Sequence, residues 1–90
     1  MMYERIARRI DPVEAFRLAL RDPPRRGPPV TTFNIMVTGA GSLYAARKQA
    51  ARLYQSGNPE CALPGGPTGA IPFIDDGARG WLFFGAVATL

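Results

Sequence analysis

The period of the apolar positions changes several times along the chain, and each change marks an element. Tyr3, Ile6, Ala7 and Ile10 recur at i, i+3, i+4 and i+7 with Arg5, Arg8 and Arg9 off the stripe, which predicts a short helix over about residues 3–10. Asp11 precedes Pro12 and is disfavoured in helical geometry, but Asp is a good N-cap, Pro suits the first helical position, and Glu14 stands three residues past the cap. A second helix is therefore expected from Pro12, with Val13, Phe16 and Leu20 on its buried face and Asp22-Pro23-Pro24 ending it near Arg21. Residues 22–30, DPPRRGPPV, contain four prolines, whose fixed φ and missing N–H make an extended arm.

Beyond the arm the period shortens to two. Phe33, Ile35 and Val37 alternate with Thr32, Asn34, Met36 and Thr38, so residues 30–38 read as a half-exposed strand. Gly39-Ala40-Gly41 turns the chain and Ser42 caps a helix whose face is Leu43, Ala46, Ala50 and Leu53, until Ser56-Gly57-Asn58-Pro59 stops it. A long Pro/Gly-rich loop fills residues 58–69. Ile71-Pro72-Phe73-Ile74 then reads as a short strand that its proline assigns to a sheet edge. Residues 75–80 make a hairpin connection, with Asp75 and Asp76 explained by turn chemistry. Residues 81–88 are apolar on both faces, as a central strand covered on two sides requires. Trp81, Phe83 and Phe84 belong to the core on the general burial preference of aromatics.

These elements predict an α+β fold: two short N-terminal helices, then β-α-β-β with a small mixed three-stranded sheet of strand order 1-3-2. A right-handed crossover makes the strands at 30–38 and 71–75 parallel, with the last strand antiparallel between them. Residues 1–29 hold the helices and the Pro/Arg-rich arm, and residues 30–90 the core, in a single domain overall. The helix at 43–56 covers one sheet face.

Composition removes much chemistry. A chain of 90 residues accommodates one small domain. It has no His and one Cys, so a His-based triad, a Cys–His dyad, a His/Cys zinc site and an intramolecular disulfide are excluded. No stretch is long and apolar enough for a membrane helix and no targeting segment is evident, so the expected location is cytoplasmic, with no membrane partner.

The net charge is +4, and it is uneven: residues 1–29 and 30–58 each carry +3, while residues 59–90 carry −2. Tyr44, Arg47, Lys48 and Arg52 share the outer face of the helix at 43–56, an aromatic among cations at the spacing of a phosphate-tracking patch. Arg25 and Arg26 on the arm add to this candidate surface for nucleic acid or an acidic partner. Gly41 and Ser42, at the helix N-terminus, form a candidate anion site.

Ile35-Met36-Val37-Thr38-Gly39-Ala40-Gly41-Ser42 resembles, over about eight residues, the opening of short-chain dehydrogenases and other Rossmann domains. That family needs further glycines, so that backbone approaches the pyrophosphate and the helix packs on the sheet. Leu43, Tyr44 and Ala45 stand in those places, and no second strand carries the ribose-binding acid. No dinucleotide, other cofactor or metal is expected, and the chain does not read as an enzyme.

The expected function is a small, basic, non-enzymatic binding module that contacts nucleic acid or a nucleoprotein assembly. Two alternatives fit the same absences: an inhibitor or adaptor of the phage or mobile-element type that binds a protein machine, and a self-associating structural subunit in a larger assembly or homo-oligomer.

Overall fold

The computed structural model describes residues 1–22 and 30–87. They form β1 (Met2–Ala7), α1 (Pro12–Ala19), β2 (Phe33–Ile35), α2 (Leu43–Gln55), β3 (Thr68–Asp75) and β4 (Ala78–Ala86). The strands make one mixed sheet of order β1-β4-β3-β2, in which β1 and β3 run antiparallel to β4 and β2 runs parallel to β3. The class is α+β as expected, and three details of the expected architecture are corrected.

The first correction is at the N-terminus, where residues 2–7 are a strand and not a helix. β4 is apolar on both faces and has two edges whose N–H and C=O groups need partners. β3 takes one edge through the hairpin, and β1 takes the other, from Met2↔Ala86 to Ala7↔Trp81. Tyr3 and Ala7 then point to one face and Ile6 to the other, a period of two that the helical spacing of Tyr3, Ile6 and Ala7 conceals. Pairing with a central strand thus overrides a local pattern only one or two turns long.

The second correction is the sheet itself, which has four strands and not three. β2 and β3 are parallel as the crossover rule requires, but they are neighbours, and β4 lies between β3 and β1. Asp76 and Gly77, at φ 50° and 77°, make a tight two-residue connection between Asp75 and Ala78. Such a turn leaves β3 no choice but to pair directly with β4.

The third correction concerns Pro72, which lies on an interior strand and not at an edge. Thr68 N–H donates to Thr32 C=O at 3.1 Å, and Met36 N–H donates to Ala70 C=O at 2.9 Å. Continuing this register, the next donor from β3 to Met36 C=O would be residue 72, and proline has no N–H. β2 therefore stops at Ile35, well short of the expected Thr38, and residues 37–39 swing out of the sheet. The chain returns at Ala40, whose N–H donates to Pro72 C=O at 2.9 Å and whose C=O accepts from Ile74 N–H at 3.1 Å. The offset between partners falls from 35 at Phe33↔Thr68 to 33 at Ala40↔Phe73, so two residues are inserted at the gap. β3 also begins at Thr68, inside the stretch read as loop.

One helix covers each face. Asp11 Oδ2 accepts from Glu14 N–H at 3.0 Å and Pro12 occupies the first turn of α1, as the sequence indicated. α1 packs Ala15, Ala19, Phe16 and Leu20 against Ala70, Trp81, Phe83 and Phe33. Phe16, Phe33 and Phe83 form a triangle of rings with centroids 4.9 to 5.7 Å apart, a tilted and edge-on arrangement favourable for aromatic quadrupoles. On the other face α2 sets Ala46 and Ala50 against Ile71, Phe73, Leu82 and Phe84. Each of these large side chains contributes about 1.5–3 kcal/mol by its burial.

Candidate nucleic-acid interface

Because Ala46 and Ala50 face the sheet, the opposite side of α2 faces outward, and Tyr44, Arg47, Lys48 and Arg52 are all exposed there. Tyr44, Lys48 and Arg52 follow one another at i, i+4 and i+8, a line with about 6 Å of rise per step. Lys48 Nζ stands 5.1 Å from the centroid of the Tyr44 ring, a cation–π pair on a ring that is 70% exposed.

Arg47 is different. Its Nε lies 3.4 Å from Glu4 Oε1, so β1 reaches beneath the helix and offsets part of the charge on this face. Lys48 and Arg52 have no acidic partner among the described residues. Arg25 and Arg26 lie outside the described residues.

The start of α2 already faces a carboxylate. Ser42 Oγ accepts from Ala45 N–H at 3.0 Å, the expected cap. Asp75 Oδ1 accepts from Leu43 N–H at 3.5 Å, and its Oδ2 lies 3.5 Å from Arg8 Nη2. Gly41 and Ser42 are therefore brought together at a helix start whose dipole meets a resident anion from the β3–β4 hairpin. The sequence placed Asp75 in a turn, and its reach to α2 was invisible there because it depends on the Ala40↔Phe73 bridge bringing the two elements side by side.

Trp81, Phe83 and Phe84 are buried, in agreement with their assignment to the core. Cys61 is fully buried, and burial followed by the neighbouring Glu60 charge pushes its thiol pKa up, which disfavours the thiolate a nucleophile needs. Among the described residues no three His, Cys, Asp or Glu side chains converge on a metal position, and no helix is long and apolar enough to cross a membrane. No protein-family model, curated protein or solved structure matches this chain.

Proposed function

We propose that the chain is a non-enzymatic binding module that contacts nucleic acid through the outer face of α2. The observation that supports this reading is the exposed line of Tyr44, Lys48 and Arg52 on a helix without a single acidic residue. Lys48 and Arg52 supply charge for successive phosphates, and the Tyr44 ring supplies a face on which an unpaired base stacks. In this reading Arg47, paired with Glu4, positions the helix, and Lys48 and Arg52 make the phosphate contacts.

Binding of this kind releases counterions, so affinity for a single-stranded oligonucleotide falls steeply as salt rises. Replacing Lys48 and Arg52 with Ala together is expected to flatten the slope of log K against log salt by about 1.4, at about 0.7 per phosphate contact on single strands. Tyr44→Ala is expected to weaken binding by about 1–3 kcal/mol without changing that slope. Absence of binding at low salt, or a salt slope unchanged in the double variant, overturns the reading.

A further inference from the structure

The gap opened by Pro72 leaves a cleft of about 230 Å³ on the α1 face of the sheet, lined in part by Ile10, Thr38, Pro72, Ile74, Arg79 and Trp81. Its floor is the Pro72↔Trp81 pair of β3 and β4. Trp81 is held there by its indole N–H, which donates to Ile10 C=O at 3.0 Å, and by stacking on Phe83 with the ring planes 19° apart. The apolar side chains above the floor are poorly covered: Ile10 is 71% exposed and Ile74 is 48% exposed. At the rim the swing of residues 37–39 leaves their peptide groups without a backbone hydrogen bond to any described residue.

The charge of the cleft has one sign. Arg79 is exposed and has no ion pair among the described residues. Asp75, on the same hairpin, is engaged by Leu43 N–H and Arg8. Asp76 sits on the turn itself. An apolar floor and one uncompensated guanidinium complement a monoanion with a hydrophobic body. An apolar cavity of about 150 Å³ holds a benzene ring, so a cleft of about 230 Å³ has room for one ring or one branched alkyl chain.

We infer that this cleft binds a small monocarboxylic acid of the aryl or branched-alkyl class, its body on Trp81, Pro72 and Ile74 and its carboxylate on Arg79. The site lies on the opposite sheet face from α2 and is independent of the phosphate contacts proposed above.

The sequence holds a single tryptophan, so its indole N–H resonance in a ¹H–¹⁵N spectrum reports on the cleft floor alone. Titration with phenylacetate and with 4-methylpentanoate is expected to shift that resonance saturably, with half-saturation at about 1 mM or below. Phenethylamine, with the same ring and the opposite charge, is expected to bind at least tenfold more weakly. Arg79→Gln, at an exposed position, is expected to keep the folded spectrum and lose about tenfold in carboxylate affinity, while the Lys48→Ala/Arg52→Ala variant binds carboxylate unchanged. No saturable shift with either acid, equal binding of the amine, or unchanged carboxylate affinity in Arg79→Gln overturns the inference.

Discussion

The Tyr3 hydroxyl reaches across Gly85 to hydrogen-bond the Thr68 hydroxyl, tying β1 to β3 over the strand that separates them. Both residues are buried. A buried hydroxyl that loses its partner carries its full desolvation cost, whereas removing both partners leaves an apolar contact. Tyr3→Phe and Thr68→Val are each expected to destabilise the fold by about 1–3 kcal/mol, with the double variant costing clearly less than the sum of the two. Chemical denaturation of the four members of this cycle checks it; strict additivity would mean that the two hydroxyls act independently.

Gly85 makes that crossing possible. A Cβ built on residue 85 would stand 2.6 Å from the Tyr3 hydroxyl oxygen and 2.8 Å from Cζ, distances that real contacts do not reach. Gly85→Ala is expected to displace the Tyr3 ring and cost about 1–3 kcal/mol, the range of overpacked core sites. In a Tyr3→Ala background the space is empty, so the same substitution is expected to lose most of its cost. Thermal unfolding of the two pairs tests the assignment of the clash to Tyr3.

Asp75 connects three elements, since it belongs to β3, accepts from the first turn of α2 and pairs with Arg8 beyond β1. Asp75→Ala is expected to destabilise by about 1 kcal/mol through the lost helix-terminal interaction. Arg8→Ala is expected to change stability by less than about 0.5 kcal/mol, because that pair is half exposed and screened by solvent. Urea melts of the two variants check the ranking: equal costs would make the ion pair the dominant contact of Asp75, and the reverse order would point instead to the contact of Arg8 with the Phe73 ring, 5.6 Å from its centroid.

Cys61 offers a probe of opening. Its thiol is fully buried and its pKa is raised, first by burial and then by Glu60. The native protein is expected to react with a thiol reagent only through unfolding or local opening, far more slowly than the denatured chain. A raised thiol pKa means that the folded state holds its proton more tightly than the unfolded state. Stability from this source is complete below the ordinary thiol pKa and declines as pH rises above it. Cys61→Ala is expected to remove that alkaline decline, which denaturation midpoints from pH 7 upward measure.

The parts of this architecture legible in the sequence are those set by neighbours in the chain. Asp11-Pro12 and Ser42 announce α1 and α2 because capping is a matter of three or four adjacent residues, and the apolar run after Gly80 announces a central strand because burial on two faces leaves no polar position. The parts that were not legible depend on distant partners. Residues 2–7 carry a pattern that serves a helix or a strand, and only the empty edge of β4 decides between them. Pro72 signalled an edge because a missing N–H usually needs one, and the chain satisfies the same requirement with a two-residue detour. Of the candidate site, the line of Tyr44, Lys48 and Arg52 was readable from helical spacing. The pairing of Arg47 with Glu4 and of the α2 N-terminus with Asp75 was not, since each crosses between elements.

The pairing of β1 with β4 also constrains the order of events during folding. Met2 finds its partner at Ala86, so the first strand has no place in the sheet until the 84 residues that follow it have emerged. Closing that loop is slow compared with the two-residue turn between β3 and β4. The hairpin is therefore expected to form before β1 joins it, which leaves the far edge of β4 open in the interval. Until then the folding chain is expected to carry an unpaired β4 edge, the kind of surface on which two incomplete copies join each other, and the arrival of β1 is the step that makes each copy self-sufficient.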